Sequence, residues 1–362
     1  MADKQKGMPL KSIKLPQGKI RTGPSLIGRI AGLIGVLIVI GLLVAFFAVL
    51  RYSDNFLAPE DTSREIMVTI PNGATNAQTA TILANAGVIR STDAFMWALR
   101  IRSRIKKPVN IKAGEQVLDP SLSVWENISL LEKGNFKFYP FTVPEGWNMR
   151  DIARAIESSG LGKASDFLAL CQDRAFISSL GFSGNTLEGY LFPETYSFPK
   201  GTPLKSIVKA MTDHFKKIWE KYDAIAATKG LSLNEVVTMA SIVEKETGAA
   251  NERPMIASVF YNRLKKKMRL QTDPTVIYGL PNFNGNLTKA DLETKHAYNT
   301  YLISGLPPGP IANPGEDAIK AVLNPSPGKY IYFVSKNDGT HHFSETLAEH
   351  NRMVNRYQRG GG

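Results

Sequence analysis

Two glutamates, Glu244 and Glu246, stand in the segment ASIVEKET, residues 240–247. A carboxyl group held among apolar side chains keeps its proton to a higher pH, because burial disfavours the charged form. Such a group can donate a proton as a general acid near neutral pH. The segment therefore indicates acid–base chemistry, provided that one of its glutamates faces apolar neighbours.

The helix that carries these glutamates decides which of them does so. Ser232 and Glu235 match a capping box just before an apolar run, which predicts a helix over residues 233–247. At about 100° per residue, Glu246 falls inside the apolar stripe of this helix and Glu244 falls near its edge. We therefore predict Glu246 as the general acid. The apolar residues on its face are Val236, Met239, Ile242 and Val243.

The residues alone leave an alternative open for Glu246. This glutamate lies at the end of the predicted helix, where an ion pair with a basic residue would account for it equally well. The possible partners are Lys245, Arg253 and Arg263.

Two segments outside this helix carry polar and aromatic side chains interrupted by glycine and proline. Residues 270–279 read LQTDPTVIYG, and residues 185–196 read NTLEGYLFPETY. Sugar rings suit the second segment, because apolar sugar faces stack on aromatic rings while sugar hydroxyls bind acids and amides. An ordinary packing loop would look the same. Residues 305–315 are rich in proline and glycine and form either the wall of a cleft or a structural brace.

The length and composition fit a folded protein of more than one domain. The chain has 362 residues, of which 43% are hydrophobic and 21% are charged. Residues 30–50 carry no charge and are long enough to span a membrane core of roughly 30 Å. The basic tail of residues 1–29 predicts an uncleaved anchor with its N-terminus in the cytoplasm. Residues 52–362 are then expected on the extracytoplasmic, or periplasmic, side; a buried core helix is the alternative.

The net charge of +12 does not indicate a nucleic-acid-binding protein. Half of it lies in the tail, which has seven basic residues against one acidic residue, and no basic stripe is present elsewhere. The single cysteine, Cys171, excludes an intrachain disulfide, and the five histidines lack metal-ligand spacing. Phosphate-loop and dinucleotide motifs are also missing from the sequence. We therefore expect no metal and no cofactor.

The exported part predicts an α+β fold with two regions. Short strands alternate with short amphipathic helices in a compact module at residues 65–138, and a larger mixed α+β region follows at residues 139–357. The predicted helices lie at residues 78–85, 121–131, 149–158, 203–222 and 318–323, and a hairpin pairs residues 330–334 with 340–343.

Five segments together resemble the membrane-bound endolytic murein transglycosylases of the YceG-like, or MltG, family. They stand in the order of that family, and the resemblance covers nearly the whole chain, including the anchor. The first module resembles the LysM-like domain of the family, and the larger region resembles its catalytic domain. The segments are LEGY and PETY within residues 187–196, ASIVEKET at 240–247, LQTDPTVIYG at 270–279, AYNTY at 297–301 and GLPPGPI at 305–311.

The resemblance implies cleavage of the β-1,4 bond between N-acetylmuramic acid and N-acetylglucosamine within a peptidoglycan glycan strand. Such cleavage leaves a 1,6-anhydro-muramoyl end and terminates the elongation of nascent strands. The family's catalytic acid falls on the second glutamate of the Glu-Lys-Glu motif, Glu246, and contact with peptidoglycan synthases is also implied. The residues expected to hold the sugar or to hydrogen-bond Glu246 are Glu188, Tyr190, Glu194, Gln271, Thr272, Asp273, Tyr278, Asn299 and Tyr301.

Two other classes of function stay open. A hydrolytic muramidase would need a second carboxylate, such as Asp273 or Glu188, and a water molecule. Its product would be heavier than the anhydro product by one water. A non-catalytic scaffold that binds peptidoglycan within the wall-synthesis machinery is the other alternative, and a glutamate on an apolar helix face argues against it.

Overall fold

The computed structural model describes residues 26–53, 56–59, 62–105, 108–281 and 283–359. Most of the predicted cytoplasmic tail, residues 1–29, lies outside the described residues. The chain forms two compact units. The first consists of residues 1–68, 73–112 and 118–134, and the second of residues 69–72, 113–117 and 135–362. The predicted boundaries at 65–138 and 139–357, and the LysM-like character of the first module, remain predictions.

The described residues mix helices with short strands, in agreement with the predicted α+β class. The strands pair as β1 with β2, β3 with β4 and β5 with β6. They are β1 Ile66–Ile70, β2 Gly114–Leu118, β3 Tyr139–Val143, β4 Glu194–Phe198, β5 Tyr332–Ser335 and β6 His341–Ser344. The helices are α1 Leu26–Ser53, α2 Asn76–Asn85, α3 Thr92–Ile105, α4 Val124–Lys133, α5 Met149–Ser158, α6 Ala164–Cys171, α7 Arg174–Ser179, α8 Leu204–Trp219, α9 Asp223–Thr228, α10 Leu233–Glu246, α11 Arg253–Lys265, α12 Asp273–Gly279, α13 Lys289–Glu293, α14 Glu316–Leu323 and α15 Leu347–Val354.

Helix α1 contains a stretch that is long and apolar enough to cross a membrane. Ile27–Ala48 has 22 residues with a mean hydropathy of 3.0, and none of it is buried. An amphipathic helix of a globular domain buries one face, whereas Ile27–Ala48 buries none. The stretch overlaps the predicted anchor at residues 30–50 and fits a membrane anchor or a signal sequence.

In the first unit, three helices pack around a small apolar core. Helices α2 and α4 begin with capping boxes at Thr75 and Ser123. Each N-cap hydroxyl accepts the backbone N–H of the third helical residue, whose side chain accepts the backbone N–H of the N-cap residue. Leu83, Phe95 and Ile128 are fully buried where α3 contacts α2 and α4. Helices α2 and α4 correspond to predicted elements, and α3 has no predicted counterpart.

Helix α10 lies at the centre of the second unit. Ser232 Oγ accepts the backbone N–H of Glu235, and Glu235 Oε2 accepts the backbone N–H of Ser232 at 2.9 Å, which confirms the predicted capping box. The eight consecutive residues 236–243 are all buried, and α9, α11, α12 and α14 all contact the helix. A helix surrounded in this way holds its last turn in a fixed place.

The segment that leads into β4 passes close to α10 at a glycine. Gly189 has φ +88°, and a Cβ there would lie 2.6 Å from Pro310 Cβ and 2.8 Å from Val237 Cγ1. Only glycine combines this backbone conformation with so close an approach. Leu191 N then donates to Asn313 Oδ1 at 2.9 Å. This segment therefore braces α10 and the proline-rich loop of residues 305–315.

A hairpin and a helix close the second unit. Strands β5 and β6 pair in antiparallel register with Phe333 opposite Phe343, and Asn337 turns the chain with φ 63°. This confirms the hairpin predicted from the aromatic and β-branched residues. Helix α15 packs on both strands, and Asn262 of α11 donates to the carbonyls of Gly328 and Tyr330 at 3.0 Å. The hairpin is thus joined to α11.

Candidate active site

A cavity of about 570 Å³ opens at the C-terminal end of α10. Glu246 is the last residue of that helix and lines the cavity. The other walls come from α11, the loop before α12, the loop at residue 301, the β5–β6 hairpin and α15. The residues that contribute to these walls include Arg263, Gln271, Asp273, Tyr301, Tyr332, His341 and His350.

The environment of Glu246 favours the protonated form of its carboxyl group. Burial raises the pKa of Glu246 to about 7, and the neighbouring Asp273 charge acts in the same direction. The Thr272 hydroxyl and the Arg263 charge lower the pKa but do not outweigh burial. Within the described residues, Thr272 Oγ1 is buried and has no hydrogen-bond partner other than Glu246. This hydroxyl is close enough to act on Glu246.

The cations that could have paired with Glu246 are engaged elsewhere. Lys245 Nζ donates to the Gly146 carbonyl at 3.2 Å, and Arg253 pairs with Glu244 at 2.6 Å. Arg263 donates Nε to the Ile331 carbonyl and Nη1 to the Leu270 carbonyl, at 2.7 and 2.8 Å. Among the residues that the structure describes, Glu246 therefore has no ion-pair partner.

Glu244 faces away from this chemistry and is held by structural contacts. Its side chain is 4% exposed, with Oε1 on Arg253 Nη2 and Oε2 accepting the Gly315 N–H at 3.0 Å. Arg253 also reaches Glu145 at 3.3 Å. Glu244 thus joins the end of α10 to the start of α11 and to the N-cap of α14, a bracing position.

The loop before α12 brings polar groups to Glu246 through an unusual backbone. Gln271 has φ 53°, in the left-handed region that non-glycine residues occupy at a cost of about 1–2 kcal/mol. Gln271 N donates to the Thr300 carbonyl at 3.2 Å, and Thr272 N donates to Thr300 Oγ1 at 3.0 Å. The loop is therefore fixed against residues 299–301, and its strained residue lines the cavity.

Residues 299–301 support the site from behind and close one side of it. Asn299 is fully buried and donates to the carbonyls of Leu292 and Thr294, while its Oδ1 accepts the Tyr301 N–H at 2.9 Å. Tyr301 in turn donates its hydroxyl to Asp273 Oδ1 at 2.6 Å. Asn299 therefore orients Tyr301 and does not itself line the cavity.

The other predicted site residues do not line this cavity. Glu188 is 3% exposed and accepts the Met149 N–H and the Tyr278 hydroxyl, each at 3.1 Å. Tyr190 packs in the core against aromatic rings, and Glu194 is exposed on β4. Tyr278 lines a second cavity. The structure thus brings Gln271, Asp273 and Tyr301 together with Glu246 and places Thr272 beside it, but leaves Glu188, Tyr190, Glu194, Tyr278 and Asn299 outside.

Arg263 and His341 are among the cavity residues that have no counterpart in the predicted site. Arg263 is buried, holds the carbonyls of the loop before α12 and stacks 5.3 Å from the Tyr332 ring centre. His341 places Nδ1 2.7 Å from Glu252 Oε2, and the backbone N–H of His341 donates to Glu252 Oε1 at 2.9 Å. The Arg263 side chain could be foreseen only as a possible ion pair, and the His341–Glu252 contact joins residues 89 apart in sequence.

Comparison with known proteins finds similarity to a protein family, to proteins with an assigned name and to a solved structure. Residues 68–356 match the model of the YceG-like family. A Bacillus subtilis protein named endolytic murein transglycosylase is 36% identical over 324 residues, which span 84% of this chain and 89% of that protein. A Streptococcus pneumoniae protein of the same name is 31% identical over 338 residues, and the chain covers 61% of its length. A crystal structure of a YceG-like protein from Listeria monocytogenes shares 35% identity and a TM-score of 0.56, covering 81% of this chain and all of that one.

Proposed function

This chain belongs to the YceG-like family, and we propose that it is an endolytic murein transglycosylase in which Glu246 is the single acid–base catalyst. One observation carries the assignment of Glu246. It is a carboxyl group with a pKa raised to about 7, without an ion-pair partner among the described residues, that lines a polar cavity. A group that is protonated near neutral pH can donate its proton to a leaving group.

The reaction proceeds in two proton transfers at Glu246. The neutral carboxyl group protonates the glycosidic oxygen while the bond from that oxygen to C1 of N-acetylmuramic acid breaks. N-acetylglucosamine leaves with a new hydroxyl group, and positive charge develops on the muramoyl ring. The C6 hydroxyl of the same ring then attacks C1 and gives its proton to the Glu246 carboxylate. The product is a 1,6-anhydro ring, the acid is restored, and no water is consumed.

The residues around Glu246 support this cycle electrostatically. Asp273 is an exposed carboxylate oriented by the Tyr301 hydroxyl, and it is suited to stabilise the positive charge on the ring. The Thr272 hydroxyl can donate a hydrogen bond to Glu246 when the latter is ionised. Arg263 holds the loop that carries both residues through its bond to the Leu270 carbonyl.

The product distinguishes this mechanism from hydrolysis. Asp273 lies in the same cavity as Glu246, so that a muramidase with Asp273 as second carboxylate is the competing function. Purified protein should be incubated with uncrosslinked glycan strands and the fragments analysed by mass spectrometry. We expect internal cleavage and new ends that are lighter by one water than hydrolysed ends. Ends that contain the added water would contradict the transglycosylase mechanism.

The pH dependence of cleavage is expected to follow the protonation of Glu246. Its pKa is raised to about 7, so kcat/KM should fall as the pH rises through about 7, since only the protonated form donates. The same raised pKa means that stability from this group is present at low pH and is lost as the pH rises through 7. Glu188, whose pKa burial also raises to about 7, acts in the same direction.

Initial rates should therefore be measured from about pH 5 to about pH 9, with the unfolding midpoint recorded at each pH. A descending limb in rate that occurs while the protein stays folded supports the assignment. A rate that stays constant across this range is incompatible with Glu246 as the acid.

The apolar stretch of α1 supports a proposal about location. We propose that Ile27–Ala48 is retained as a single membrane anchor and that residues 52–362 lie on the extracytoplasmic side, where peptidoglycan is present. An anchored enzyme of this kind acts near the membrane, where cleavage would end the elongation of nascent strands. N-terminal sequencing of protein isolated from cells tests retention, and a mature N-terminus beyond residue 50 would contradict it.

A further inference from the structure

A second cavity lies next to the one that contains Glu246. It has a volume of about 450 Å³ and is lined by residues of α5, α10 and α12 and by the chain that follows α12. Two pairs of consecutive residues are divided between the cavities. Glu246 and Asp273 line the first cavity, and their neighbours Lys245 and Pro274 line the second. Consecutive Cα atoms are about 3.8 Å apart, so the two cavities lie side by side, on either side of the end of α10 and the start of α12.

The charge of the second cavity is positive. Three cations, Arg150, Arg154 and Lys245, line it together with one carboxylate, Asp151. Arg154 pairs with Asp151 at 2.5 Å, and this accounts for the only acidic group in the lining. Arg150 donates to the Tyr278 carbonyl at 3.4 Å and lies 5.5 Å from that ring centre, and Lys245 donates to a carbonyl. Arg150 and Lys245 are thus positioned by neutral groups, and their charges are not compensated within the lining.

The remaining wall of this cavity is apolar. Ile277, Leu280 and Phe283 line it alongside the cations. A guanidinium group binds a carboxylate through paired hydrogen bonds, and an apolar wall accepts small aliphatic groups. The cavity therefore fits a ligand that carries a carboxylate next to methyl-sized side chains.

We propose that this cavity is a subsite for the peptide stem of the substrate, in which Arg150 and Lys245 bind a stem carboxylate and Arg154, already paired with Asp151, offers its remaining N–H donors. The inference rests on the proposed function, because it takes a muramoyl residue to occupy the cavity of Glu246. Each muramic acid carries a short peptide on its lactyl ether, and that peptide offers free carboxylates and alanine methyl groups. A stem attached to a muramoyl residue in the first cavity would have this lining beside it, because adjacent residues of α10 and of the start of α12 line the two cavities. The enzyme would then distinguish strands that bear stems from strands that an amidase has stripped.

The test compares the two substrates in wild type and in Arg150→Ala/Arg154→Ala. We expect wild-type kcat/KM to be at least about tenfold higher on stem-bearing strands, equivalent to about 1.4 kcal/mol, and this ratio to approach one in the double variant. Both arginines are exposed, so their loss should leave the unfolding midpoint nearly unchanged. The single variant Arg154→Ala, at a side chain that is 72% exposed, gives a smaller change in the same direction. Lys229→Ala, an exposed cation at the end of α9, is the control and should keep the wild-type ratio.

Several outcomes would overturn this subsite. One is a wild-type kcat/KM that is equal on stem-bearing and stripped strands, and another is a preference for stem-bearing strands that the double variant retains in full. A third is inhibition of cleavage by pyrophosphate but not by free stem peptide, obtained by treating strands with an amidase. Cleavage of neither substrate by wild-type protein would instead contradict the proposed function itself. The two failures are therefore distinguishable in one set of assays.

Discussion

Glu246→Gln is expected to abolish cleavage of purified glycan strands while the protein stays folded. Glutamine preserves the size of the side chain but cannot donate a proton to the glycosidic oxygen or take one from the C6 hydroxyl. Loss of general acid–base catalysis typically lowers a rate by about 10²–10⁴-fold, and one group serves both steps here, so the loss should reach the upper end or exceed it. The measurement is fragment release from uncrosslinked strands, with the strand length in cells that carry the variant as a second readout; longer strands are expected.

The same substitution should not destabilise the protein above pH 7. A carboxyl group whose pKa moves from 4.5 to about 7 on folding opposes folding by up to about 3 kcal/mol once it ionises. Glutamine removes this penalty, so Glu246→Gln should unfold at an equal or higher temperature than wild type at alkaline pH. An inactive variant of unchanged stability assigns catalysis to Glu246, whereas fragment release at the wild-type rate would exclude the mechanism. If the protein were a non-catalytic scaffold, Glu246→Gln would change neither its binding to peptidoglycan nor the strand length in cells.

Glu244→Ala is expected to cost about 3–5 kcal/mol of folding free energy, because removing one partner of a buried ion pair leaves the other uncompensated. Arg253 is 9% exposed in its side chain and would lose its closest carboxylate, and the Gly315 N–H would lose its acceptor. Chemical denaturation of the two proteins measures the difference. The residual Glu145 contact, in which the Glu145 side chain is 47% exposed, should recover little of the loss.

An exposed ion pair provides the matched control for Glu244. Asp213 of α8 pairs with Lys209 at side-chain exposures of 46% and 61%, so Asp213→Ala should cost less than about 1 kcal/mol. Glu244→Gln, measured where it is folded, should keep cleavage within about tenfold of wild type, because a bracing residue acts only through position. Complete loss of cleavage in a fully folded Glu244→Gln protein would show that the wrong glutamate has been assigned to catalysis.

Local sequence patterns were enough to predict those elements whose structure is determined by residues close together in the chain. The Ser232–Glu235 capping box and the apolar face of α10 predicted both the helix and the side of it on which Glu246 lies. The hairpin of residues 332–344 followed from its strand residues and its Asn-Asp-Gly turn. These features depend on contacts within a few residues, and such contacts are visible in one sequence.

Contacts between distant segments account for what the sequence did not reveal. Glu188 looked like a sugar ligand because acids among aromatics suit sugars, but Met149, Tyr278 and Asn313, which are 39, 90 and 125 residues away, enclose it as a buried acceptor. Helix periodicity cannot show which carboxylate another segment will cover. The pairing of His341 with Glu252 and the cationic second cavity are hidden for the same reason.

The position at which α10 ends has an electrical consequence. The aligned peptide dipoles of a helix leave partial negative charge at its C-terminus, where the last carbonyl groups lack partners. Glu246 is the last residue of a 14-residue helix. The partial negative charge of the helix end disfavours an ionised carboxylate there, so it raises the pKa of Glu246 in the same direction as burial does. Such an effect is worth about 0.3–1 kcal/mol, and the same glutamate at the start of the helix would be made more acidic instead. The direction in which the chain runs through α10 therefore helps to keep its final residue protonated.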